Sequence, residues 1–71
     1  MKYKFADALR QALDDRAWRP ERLAVELNCS SSTVYKWLAG DTFPSPVFWP
    51  KIKAVLGLDP YQFLGGSDGQ D

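Results

Sequence analysis

Between Pro20 and Gly40 only Asn28, Cys29 and Ser30 are left to join two segments of helical period, and that short join constrains the fold more than any other feature of the sequence. Pro20 suits the first position of a helix, and Trp18 ahead of it can pack on Leu23 as a hydrophobic staple, so a helix is predicted from Pro20 to Leu27. Asn28 enters the left-handed conformation at little cost and can turn the chain sharply. Ser30 then caps a second helix, predicted from Ser31 to Ala39, with Cys29 and Val34 repeating the staple arrangement and Gly40 ending it. Two helices joined so tightly meet steeply and leave one face of the second exposed, the geometry used to enter a DNA major groove.

The remaining elements are helical as well. Phe5, Leu9 and Leu13 recur every fourth residue, with Ala8 and Ala12 beside them and Asp7, Arg10, Gln11 and Asp14 opposite, which predicts a first helix from Tyr3 to Arg16. Residues 41 to 46, rich in turn signals, form a loop, after which Phe48, Ile52, Val55 and Leu56 return to helical spacing. Pro50 cannot donate to position 46, so a loose turn is expected before a fourth helix from Pro50 to Leu56. Asp59 with Gln62 makes a capping box around Pro60, predicting a short fifth helix that stops at Gly65 and Gly66. No strand alternation or repeat appears, so the expectation is one compact all-α domain of five helices over residues 1–64, with a flexible Gly- and Asp-rich tail at 65–71.

A chain of 71 residues buries only about 60% of the surface it exposes when unfolded. Such a domain needs help from elsewhere. A single Cys29 and no His remove an internal disulfide and argue against a zinc site or any other metal centre, so self-association is the expected help. The unpaired cysteine and the lack of a long apolar run near Met1 point to a cytoplasmic protein without a membrane anchor. Without His, a Gly-rich phosphate loop or a nucleophile beside a base, enzymatic activity is not expected, nor is a cofactor or small-molecule ligand. Nine basic residues balance nine acidic ones, so any surface that faces a polyanion must be local.

At about 100° per residue, Ser32, Tyr35, Lys36 and Ala39 fall opposite the apolar stripe Val34-Trp37-Leu38, with Ser31 and Thr33 at its edges. The run LAVELNCSSSTVYKWLAG, followed by a Pro-Ser loop and GLDPYQFL, resembles the lambda-repressor-like, Cro/C1-type helix-turn-helix family over about residues 5 to 64. The resemblance implies a helix-turn-helix at the second and third of five helices, with Leu23, Ala24, Leu27, Val34, Trp37, Ile52, Leu56 and Leu58 in the core. Asn28 departs from the family's usual turn glycine, Arg19 from its usual Ser or Thr cap, and Leu13 from a common arginine.

Carried onto this chain, the family's base-reading positions are Ser31, Ser32 and Lys36, with Tyr35 as a neighbour. Lys36 is suited to guanine O6 and N7, whereas serine hydroxyls discriminate weakly. Phosphate contacts are expected from Arg19 and Arg22 at the positive start of the second helix, from Thr33, from Thr42 and the backbone at Gly40 after the third helix, and from Lys51 at the beginning of the fourth. Seven of the aromatic residues, Trp18, Trp37, Phe43, Phe48, Trp49, Tyr61 and Phe63, already exceed what so small a core can hide. Trp37 and Phe48 are expected inside, leaving Trp49, Tyr61 and Phe63 as an exposed patch.

In this family the last helix often forms a two-fold dimer. The resemblance therefore implies a homodimer through that patch on double-stranded DNA, with recognition helices about 34 Å apart. It also implies a small transcriptional repressor, as phage and plasmid regulators and antitoxins of the family are. The competing expectation is a protein-binding module that uses the helices as scaffold and the aromatic surface as its contact, which the neutral net charge favours.

Overall fold

The computed structural model describes residues 3–63. Among them are four α-helices and no strand: α1 (Phe5–Arg16), α2 (Pro20–Leu27), α3 (Ser31–Ala39) and α4 (Trp49–Leu56). Short 3-10 turns at Pro46–Phe48 and Pro60–Phe63 stand before and after α4. The domain limit drawn at residue 64 and the expected tail at 65–71 lie outside the described residues. No described helix is long and apolar enough to cross a membrane.

One device ends every helix. Ala17, Asn28, Gly40 and Gly57 take left-handed backbone conformations, with φ of 56°, 59°, 80° and 68°. Behind the first three of these the next amide reaches back into the last turn: Trp18 N to Leu13 O at 2.9 Å, Cys29 N to Ala24 O at 2.9 Å, and Asp41 N to Lys36 O at 3.2 Å. These bonds satisfy carbonyls that a helix end leaves unpaired. Asn28 tolerates the conformation as its sequence suggests, but Ala17 adopts it without a side chain that eases it.

Four expectations need correction. α1 begins at Phe5 rather than Tyr3, because Tyr3 is drawn away to donate its amide to Gly40 O (3.4 Å) and to lay its ring on Phe43, centroids 5.2 Å apart. α4 begins at Trp49 rather than Pro50, since the second position of a helix has no intrahelical N–H bond for proline to lose. The fifth helix is a four-residue 3-10 turn. Phe48 is half-buried, lying edge-on to the buried Trp37 at 5.6 Å.

The core draws on all four helices: Phe5, Leu9 and Leu13 of α1, Leu23, Ala24 and Leu27 of α2, Val34, Trp37 and Leu38 of α3, and Ile52 and Leu56 of α4. Leu58, also expected there, is half-buried against it. α3 packs on both α1 and α2, which fixes its inner face and leaves the opposite one to solvent. Removing Leu23, Val34 or Ile52, each fully buried, leaves a hole worth several kcal/mol, on the order of 2–5 for a Leu or Ile truncation. Two arginines tie α1 to distant helix ends: Arg10 Nη2 donates to Leu38 O at 3.2 Å and Arg16 Nη2 to Leu56 O at 2.9 Å. Each places a cation at the negative end of a helix, where it is favoured.

Candidate nucleic-acid interface

The outer face of α3 is set by what anchors the inner one. Val34, Trp37 and Leu38 point into the core, and Ser32, Tyr35, Lys36 and Ala39 are exposed, with Ser31 and Thr33 half-buried between. The start of α3 is held by Ser30, whose Oγ accepts from Thr33 N at 3.4 Å. The same oxygen lies 3.2 Å from Ser32 Oγ and 3.0 Å from Thr33 Oγ1. Both hydroxyls are therefore partly engaged at the cap. The Lys36 side chain has no hydrogen-bond or ion-pair partner among the described residues, so its ammonium is available to an external acceptor.

Tyr35 is tied differently. Its hydroxyl donates to Glu21 Oε2 at 2.7 Å, bridging α3 to the first turn of α2 although both side chains are exposed. This bond, then a backbone hydrogen bond at Glu21, and last the nearby Arg19 cation hold the Glu21 carboxyl below its ordinary value, against an opposing desolvation. The same bond raises the phenol of Tyr35. Glu21 carries none of the signals that single out a residue in sequence. Only the fold brings it to a partner fourteen positions away.

The cations expected at phosphates are dispersed. Arg19 is the extended N-cap of α2, exposed, and makes no side-chain cap bond. Arg22 is engaged twice, pairing with Glu26 Oε2 at 3.1 Å and lying over the Trp18 ring at 4.5 Å. Gly40 is buried, its N–H turned back to Trp37 O at 3.0 Å and its carbonyl accepting from Tyr3, so its backbone offers no donor to a ligand. Thr42, in the loop after α3, and Lys51, in the first turn of α4, are exposed. Arg19, Thr42, Lys36 and Lys51 thus remain open to an anion, whereas Arg22 must give up existing partners.

Of the expected aromatic patch, Tyr61 is 66% exposed, but Trp49 and Phe63 are half-buried. Trp49 Nε1 donates to Pro44 O at 2.9 Å, and its ring lies between Phe43 and Tyr61, each 6.2 Å away. Phe63 meets Phe5 edge-on at 5.7 Å and belongs with the core. The sequence reading missed Val47, 77% exposed in the 3-10 turn before α4, and Val25, 76% exposed on α2.

No cluster of potential metal ligands occurs among the described residues. Cys29 is half-buried with its thiol pushed up by burial, which disfavours the reactive thiolate. A shallow cleft of about 110 Å³ lined by Arg10, Leu13, Asp14, Trp18, Pro20 and Leu38 is well below the roughly 300–1,000 Å³ of a drug-sized ligand site.

A family model described as a helix-turn-helix domain matches residues 4–62. No curated protein and no solved structure matches the chain. The match runs from the residue before α1 into the last 3-10 turn and takes in all four α-helices. The chain belongs to the helix-turn-helix domain family.

Proposed function

We propose that the chain is a sequence-specific DNA-binding regulator of the lambda-repressor-like, Cro/C1 kind, which uses α2 and α3 as its helix-turn-helix and inserts α3 into the major groove. The observation that carries this reading is the outer face of α3, where Ser32, Tyr35 and an unpaired Lys36 are exposed on a helix whose other face is locked by Val34, Trp37 and Leu38. Lys36 is assigned to guanine O6 and N7, with Ser31, Ser32 and Tyr35 beside it. Arg19, Thr42 and Lys51 grip the flanking phosphates and set the register. Arg22 and Thr33 join them only by exchanging present partners.

Acting as a homodimer through Tyr61 and the exposed edge of Trp49, the protein would span two half-sites and repress by occupying a promoter. A second reading is supported by the balanced charge and by Val47 and Tyr61, both largely exposed: a protein-binding module whose contact is this apolar end. Titrating a fluorescent mixed-sequence duplex with the protein across a salt series separates the two. The DNA reading requires affinity that falls steeply with salt through counterion release and drops further in Lys36→Ala. Failure to bind duplex even at low salt would leave the protein-binding module as the better account.

A further inference from the structure

We propose that Glu21 is a specificity-determining residue: hydrogen-bonded to Tyr35, it makes an acceptor-only element on the groove-facing side that selects bases bearing an amino group, cytosine N4 or adenine N6. This rests on the reading of α3 as the recognition helix. A tyrosine hydroxyl has one proton and lone pairs that accept. In this structure that proton is directed to Glu21 Oε2 at 2.7 Å. The phenol oxygen is left as an acceptor, and an ionised carboxylate is an acceptor only. Both side chains are exposed, Tyr35 by 48%, so the remaining lone pairs are accessible to a ligand. The hydrogen bond from Tyr35 also favours the ionised carboxylate, which keeps the pair in this form near neutral pH.

The edge chemistry of DNA then decides what the pair tolerates. Guanine presents O6 and N7 and thymine O4, all acceptors, whereas cytosine N4 and adenine N6 are the donors in the major groove. Phosphate oxygens are acceptors too, so the pair does not add to backbone grip. Lys36, adjacent in sequence to Tyr35, is the converse, a donor with no accepting atom. Side by side, the two elements ask for opposite edges.

The test is selection of bound duplexes from a random library by wild type, Glu21→Gln and Tyr35→Phe, with circular dichroism verifying that each variant is folded. Glutamine keeps the size of glutamate but donates as well as accepts. The wild type should show a position where cytosine or adenine is preferred by at least about fivefold, the low end of discrimination by a matched contact. In Glu21→Gln, whose amide can also donate, the exclusion of guanine and thymine at that position should be lost, and in Tyr35→Phe, which keeps the carboxylate but removes its anchor, the preference should weaken, while the position governed by Lys36 persists. A wild-type motif left unchanged by Glu21→Gln overturns the inference but not the DNA reading, as does a gain in affinity equal for every duplex, which would make Glu21 a mere repellent of phosphate. No enrichment by the wild type removes both.

Discussion

The join between α2 and α3 is built by residues within it, whereas the segments flanking α4, whose own ends Pro50 and Gly57 mark, lean also on contacts from elsewhere in the fold. Pro20 opens α2, Asn28 turns the chain at φ 59°, Ser30 caps α3 and Gly40 closes it. Of the four α-helices only α3 has a side-chain cap bond; α1, α2 and α4 have none. Around α4 the contacts are Arg16 on Leu56 O, Trp49 on Pro44 O, and Phe63 against Phe5. The difference teaches where rigidity is placed: α3 is fixed by its own cap and a buried inner face, whereas the segments flanking α4 rest on half-buried aromatic contacts beside the buried Ile52 and Leu56.

The largest effect expected from this contrast is at the two tryptophans. Trp37→Ala, at a residue 3% exposed, should cost about 3–5 kcal/mol, enough to unfold much of so small a domain, as circular dichroism would show. Trp49→Ala, at a half-buried residue, should cost roughly 1–2 kcal/mol, and an equal loss at both positions would break the comparison. Ser30→Ala removes the cap of α3 and should lower stability by about 1 kcal/mol in urea denaturation. At Ala17, glycine relieves the left-handed strain at φ 56°. After the added freedom of the unfolded chain is offset, Ala17→Gly should raise stability by roughly 0.5–1 kcal/mol, visible as a higher urea midpoint.

The smallest effect concerns Glu21. Its carboxyl is lowered in the folded state, so its contribution to stability is present above the unfolded value and is lost as pH falls through the folded one. An NMR titration of the Glu21 carboxyl should show the midpoint moving up toward the ordinary carboxylate value in Tyr35→Phe. An unmoved midpoint would mean that the bond to Tyr35 is not what holds it.

Legibility in the sequence follows the same division. The ends of α2 and α3 were readable to the residue because Pro20, Asn28, Ser30 and Gly40 act within one turn of themselves. The start of α1 was not, because Tyr3 is diverted by Gly40 and Phe43, nearly forty positions away. Phe63 was read as surface because nothing local announces that Phe5 will cover it. At the candidate interface, Lys36 was placed on the outer face by helical period alone. The tie of Tyr35 to Glu21 and the engagement of Arg22 by Glu26 and Trp18 depend on how side chains are oriented once the helices pack.

The central claim, that α3 and not the apolar end is the working surface, is tested most directly by mapping amide chemical-shift changes in isotopically labelled protein as a duplex from the selected pool is added. The account predicts changes concentrated at Ser31, Ser32, Tyr35 and Lys36, with weaker ones at Arg19, Thr42 and Lys51. Changes confined to Val47, Trp49 and Tyr61, or none at any residue at low salt, would contradict it.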